Sequence, residues 1–220
     1  MAEPESLAEV LGGRRAALDA TVPPVAFVAG WVIGGRSLGT GTAAALVAAL
    51  VVAALRLRQG DRPRAVLIGL LGVGVAALIA LRTGRAEDFF LLQIVTNALS
   101  ALAWAVSIVI RWPLLGVVVG TVLGQKTRWR RDPALLRAYG KGSWVWVLQY
   151  VLRLAVFVPL WAAHAVVALG VARAVLTWPL VAACLAVSWW VIRRSLPADH
   201  PGLRHPRAES SAPADADHLG

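Results

Sequence analysis

TGRAEDFFLLQIVTNALSALAWAVSIVIRWPLLG, residues 83–116, is the stretch whose reading decides the fold. It opens on charge (Arg85, Glu87, Asp88), runs without an ionisable side chain from Phe89 to Ile110, and stops at Arg111-Trp112-Pro113. As helix, the uncharged run rises about 33 Å, enough to cross a hydrocarbon core about 30 Å thick. Proline cannot continue a helix and restricts the residue before it, so the exit is as well marked as the entry. This is one membrane span, and it sets the pattern for the rest of the chain.

Composition agrees. Of 220 residues 58% are hydrophobic and only 15% charged, against about 25% charged in soluble domains. The sequence predicts an all-α, polytopic membrane helix bundle. It has about six transmembrane helices, one short re-entrant or interfacial helix and a short cytosolic amphipathic helix.

A lead over 1–19 carries mixed charges and no apolar core, so no cleavable signal peptide is expected. The membrane domain covers 20–194, with spans at about 20–35, 38–55, 65–81, 89–110, 154–172 and 174–192. Pro23-Pro24 suit the first turn of the first span. Gly69, Gly72 and Gly74 suit close helix packing in the third, and Pro159 should kink the fifth. Residues 113–124, PLLGVVVGTVLG, rise only about 18 Å and are read as non-spanning. Residues 125–142 form a basic platform. In it Asp132-Pro133 opens a short amphipathic helix and Gly140 closes it. The segment 195–220, with four prolines and three histidines, is expected to be a disordered cytosolic tail.

Charge then orients the chain. The formal net charge is +10. With the amino terminus inside, 17 of the 22 basic residues fall on the inner side and four on the outer, and Arg153 is the remaining one. Basic loops stay on the cytosolic side, so both termini are expected there, in a multi-pass plasma-membrane protein. Crossing at 113–124 would place the basic platform outside. The partners implied are the lipid bilayer and its anionic head groups, met by Arg128, Arg130, Arg131 and Arg137. Envelope-assembly proteins and a second copy of the chain are further candidates. Nucleic acid is excluded, because no separate basic domain interleaved with aromatics is present.

Candidate ligand or pathway residues lie on two helices. Gln93, Asn97, Ser100, Trp104 and Ser107 recur at spacings of four, three, four and three, which is one face of the fourth span. Such a face can line a ligand path or bond neighbouring helices together. Arg153 and His164 are eleven residues apart, close to three turns, so they share a helix face. They would then bind an anionic group or relay protons, or be respectively a snorkelling arginine and a bonded core histidine. Glu87 and Asp88 could pair with Arg82 or Arg85, hold a cation, or be solvated.

No carboxylate lies deep in any span, which disfavours coupling through a buried acid. No phosphate-binding glycine loop, no paired metal ligands and no nucleophilic serine motif occur. No catalytic residue, metal or cofactor is therefore assigned, and an enzyme is not expected. Cys184, the single cysteine, reads as a small buried side chain.

LGGRRAALDATVPPVAFV (11–28), TGRAEDFFL (83–91), RWPLLG (111–116) and WRRDPALLRAY (129–139) resemble an uncharacterised actinobacterial integral-membrane family, domain of unknown function 3159, over about residues 10–195. A charged, Phe-rich start to a span followed by a Pro-Leu-anchored helix is remotely similar to the intracellular septation protein A family. That resemblance implies a cell-envelope or division context through partner proteins, and supplies no catalytic residue. The leading expectation is thus a non-enzymatic envelope factor acting through lipid or protein contacts. The alternative is a small-solute or ion transporter or channel using the polar face of the fourth span with Arg153 and His164.

Overall fold

A computed structural model describes residues 13–61, 63–124 and 127–197, with the side chains of 13–20 left out. The expectations for the lead before Gly13 and for the tail beyond Pro197 lie outside the described residues. Seven α-helices follow in order: α1 (Gly13–Ile33), α2 (Leu38–Arg58), α3 (Pro63–Thr83), α4 (Leu91–Val109), α5 (Leu114–Val122), α6 (Pro133–Ala162) and α7 (Val166–Ser195). Short 3-10 segments cover Ala86–Phe90 and Arg128–Arg131. No strand occurs among the described residues. Among the described residues five helical segments are long and apolar enough to cross a membrane: Leu38–Arg58, Pro63–Thr83, Ala86–Val109, Pro133–Ala162 and Val166–Ser195. The chain is a helical membrane protein.

Several helices end in the same way, for a local reason. The last carbonyls of a helix lack amide partners, and a residue in the left-handed region lets the next two amides turn back onto them. Gly35 (φ 66°) does this for α1 and Gly60 (φ 83°) for α2. Arg111 (φ 55°) ends α4, with Trp112 N bonding Ser107 O at 2.9 Å. His164 (φ 55°) ends α6, with Ala165 N bonding Leu160 O and His164 N bonding Trp161 O, both at 3.0 Å.

The last of these corrects the expected spans 154–172 and 174–192. The chain turns at 163–165, not at Arg173. The platform helix is corrected too. It starts at Pro133 as expected, where Asp132 Oδ1 accepts from Ala134 N at 3.0 Å and Leu135 N at 3.2 Å. It does not stop at Gly140 but runs 30 residues to Ala162. A mid-helix glycine costs about 1 kcal/mol, which tertiary packing overrides here. A Cβ on Gly142 would lie 2.6 Å from Leu115 Cδ2, so α5 seats against bare backbone there. The first helix also begins earlier than the span expected there: α1 starts at Gly13 and holds Pro23 and Pro24 inside it. α5 has nine residues, about 14 Å of helix and too short to cross.

The chain forms two compact units. In the first, Met1–Ala98 with Leu152–Val181, the core gathers around Phe27, Phe89 and Phe90. Phe27 and Phe89 stack with centroids 4.0 Å apart, and Phe90 meets each of them edge-on. α1 and α2 approach closely where Gly30 and Gly41 remove side chains; a Cβ on Gly30 would lie 2.6 Å from Ala44 Cβ and 2.8 Å from Thr40 O. Gly69, Gly72 and Gly74 do not pack as expected, because a Cβ at each meets nothing within 4 Å. In the second unit, Leu99–Val151 with Ala182–Gly220, Trp129 is fully buried among Leu135, Ala138, Tyr139 and Ile192. Its ring lies 2.7 Å from where a Gly116 Cβ would stand.

These contacts set opposite outcomes for two glycines. Gly30→Ala forces backbone against backbone and should lower stability by about 1–3 kcal/mol. Gly74→Ala enters open space and should raise it by up to about 1 kcal/mol. Thermal unfolding of each variant in detergent checks both signs.

Candidate functional site

The polar centre of the first unit grows from Ala86–Phe90, a 3-10 segment whose five side chains are all buried. Phe89 and Phe90 go to the core, which holds the two preceding carboxylates in place. Burying an ionised carboxylate is costly unless it is paired and hydrogen-bonded, and here each one is. Asp88 Oδ1 accepts from Trp161 Nε1 at 2.8 Å. Glu87 Oε1 accepts from Arg85 Nε at 2.8 Å and lies 2.5 Å from His164 Nδ1. Arg85 Nε is also 4.0 Å from Asp88 Oδ2, and its guanidinium sits 5.2 Å from the centre of the Trp161 ring.

An ionised carboxylate only accepts, so the hydrogen in the His164–Glu87 contact sits on Nδ1. Arg85 Nη2, 3.5 Å from that same nitrogen, then has no lone pair to donate to, and we count that approach as a contact. The Glu87 hydrogen bond, with the Asp88 charge behind it, holds the Arg85 guanidinium above its ordinary pKa against partial desolvation. The result is a four-part lock: the segment before α4 holds the end of α6 through Trp161 and the turn after it through His164.

The lock separates the residues that sequence spacing put together. His164 lies beyond the end of α6 in the left-handed turn, so it does not share a helix face with Arg153. Arg153 neither snorkels nor faces a cavity. It is 8% exposed and its Nη2 donates to Leu176 O at 3.0 Å and Thr177 O at 3.1 Å. Arg153 thus clamps α6 to α7 through backbone carbonyls.

On α4, Gln93 Nε2 donates to Asn97 Oδ1 at 3.3 Å. Ser100 is half-buried. Ser107 Oγ donates to Trp104 O at 2.7 Å and accepts from Leu114 N at 3.3 Å, fixing the turn into α5. Trp104 stacks on Trp146 at 5.1 Å. Gln93 and Thr96 line a cavity of about 320 Å³ in the first unit, whereas Asn97, Arg153 and His164 do not. The convergence of Gln93, Asn97, Arg153 and His164 around one pathway is therefore not found.

The second unit carries the candidate head-group residues. Arg128, Arg130, Arg131 and Arg137 are all exposed. Arg130 lies 3.7 Å from the centre of the Trp112 ring, Arg193 4.8 Å from that of Trp189, and Arg194 4.7 Å from that of Trp190. Lys141 and Arg137 border a pocket with Ser195 and Pro197, so the start of α6 meets the end of α7.

Sequence reasoning missed a polar row on α6. Tyr139, Ser143, Trp146 and Gln149 follow at four, three and three, which is one helix face. Each is wholly or largely buried, and each has a side-chain polar atom without a hydrogen-bond partner among the described residues. The spacing was the available signal, and the glycine stop placed at 140 hid it. Among the described residues no group of three or more His, Cys, Asp or Glu side chains could hold a metal ion.

Five long apolar helices and internally bonded polar groups define a multi-pass membrane protein. The chain belongs to the family described as "Protein of unknown function (DUF3159)", whose model matches residues 11–199. No curated protein and no solved structure matches.

The lock predicts a coupling. Trp161→Phe leaves Asp88 short of its indole donor and should cost about 1–3 kcal/mol. In an Asp88→Asn background the same change should cost about 1 kcal/mol less. Unfolding titrations of the two single variants and the double variant in mixed micelles measure it.

Proposed function

We propose that the chain is a non-enzymatic factor of the cell envelope whose basic end binds anionic lipid head groups and, through them or beside them, envelope-assembly proteins or a second copy of itself. The observation that carries this reading is the Arg130–Trp112 stack at 3.7 Å, set among the exposed Arg128, Arg131 and Arg137. An aromatic ring with one wet edge and a guanidinium reaching outward is the side-chain pair favoured where hydrocarbon meets head groups. The split of basic residues along the sequence supports placing this end in the cytosol of a plasma-membrane protein, with both termini on that side. A division-associated setting is part of the same proposal and rests on the sequence motifs alone. A transport reading draws no support from the separate surroundings of Gln93, Asn97, Arg153 and His164.

Each basic residue near an anionic surface contributes about 1 kcal/mol. Replacing Arg128, Arg130 and Arg131 with Gln should therefore lower the preference for phosphatidylglycerol over phosphatidylcholine by about a hundredfold at most. Spin-labelled lipids and the reconstituted full chain measure that preference. An unchanged preference contradicts the reading.

A further inference from the structure

The cavity of about 320 Å³ in the first unit is unaccounted for by the basic end and shares no residue with it. Its volume lies at the lower end of the range that holds small ligands. Most of its wall is aliphatic, from α1, α2 and α3. Gly69 and Gly72 line it, and a Cβ on either would meet nothing within 4 Å, so part of the wall is bare helix backbone beside open space. Glycine weakens a helix relative to alanine, and here it leaves room beside the helix.

The polar part of the wall has one sign. Arg56 and Arg173 line the cavity, Gln93 and Thr96 add neutral polar groups, and no lining residue is a carboxylate. Arg56 stands near the end of α2 and reaches Asp61 at 3.5 Å. Arg173 is different: it is seven residues into α7, about 10 Å along the axis from Val166. Gln93 is the same number of residues beyond Ala86, and the Glu87–His164 contact brings those two helix starts to one level. A guanidinium and a carboxamide thus stand at similar depth beside an aliphatic cleft. Cationic side chains inside a span are expensive and mark sites of function.

We infer that this cavity takes a membrane phospholipid with an anionic phosphate head, the phosphate meeting Arg173 and Gln93 and one acyl chain lying along the bare backbone of Gly69 and Gly72. A bidentate guanidinium suits phosphate oxygens. Free phosphate would leave the aliphatic wall without an apolar partner, which selects a lipid as the source.

The test uses the full chain in phosphatidylcholine nanodiscs holding a trace of phosphatidic acid with a diazirine on its acyl chain, against phosphatidylcholine carrying the same diazirine. The anionic probe should label residues 65–76 and 89–96 about fivefold more than the zwitterionic one, the effect of about 1 kcal/mol per cation. Arg173→Gln should abolish that preference and Arg173→Lys should keep most of it. Gly72→Leu, whose side chain enters the open cleft, should reduce labelling by both probes. Excess inorganic phosphate should change nothing. Equal labelling by the two probes, or a preference that survives both Arg173→Gln and Gly72→Leu, overturns the inference. So does full competition by inorganic phosphate, which would make the site one for a free anion. If Arg173→Gln does not fold, Gly72→Leu decides alone. Changes at Arg128, Arg130 and Arg131 should leave this labelling intact, which keeps the result independent of the basic end.

Discussion

Two adjacent carboxylates inside an apolar core are the constraint on which the first unit depends. Glu87 and Asp88 are about 5% exposed, and a buried carboxylate needs a charged or hydrogen-bonding partner. Their partners must come from the protein, and the chain supplies three: Arg85 from the same turn, Trp161 from the last turn of α6, and His164 from the residues after it. Meeting that demand fixes where α6 ends, and so where α7 begins. It also holds Phe89 and Phe90 against Phe27, so one five-residue segment supplies both the polar lock and the aromatic core.

Helix ends show what was legible in the sequence. α1 and α2 end on Gly35 and Gly60 in the left-handed region, and glycine announces such an end because it has no Cβ to clash. α4 ends on Arg111, and Pro113 two residues later revealed it. α6 ends on His164, with no glycine and no following proline, inside a run without other ionisable side chains. Histidine tolerates that conformation better than most residues, and its bond to Glu87 compensates for the remainder. Nothing local marks the turn. The long-range pairing with Glu87, 77 residues away, decides it, and single-chain spacing cannot show that pairing. Gly140 is the converse: a local stop signal overridden by packing around Gly142 and Trp129.

The candidate site was legible in part. Residue types were enough to identify Glu87, Asp88, Arg153, His164 and the α4 polar face as the unusual groups. Partners were not, because they depend on which turns meet. Arg153 was set beside His164 on a helix that ends before His164 is reached, and its true partners are backbone carbonyls, which have no sequence signature. Much of the polarity in the first unit is thus consumed in holding helices together. Exposed arginines surround Trp112 in one unit, and in the other Arg173 borders an aliphatic cleft. The two proposals made for them share one chemistry, anionic lipid.

Because the lock sets the turn at 163–165, the most direct measurement asks where the chain leaves the apolar phase. Ala163 and Ala174 are both exposed on the protein surface, one in the turn and one eight residues into α7. In a Cys184→Ala background, Ala163→Cys and Ala174→Cys can be treated with a membrane-impermeant maleimide in intact membranes. The account predicts rapid labelling at 163 and none at 174, where the surface faces lipid. Labelling at 174 with protection at 163 would return the turn to Arg173 and contradict it.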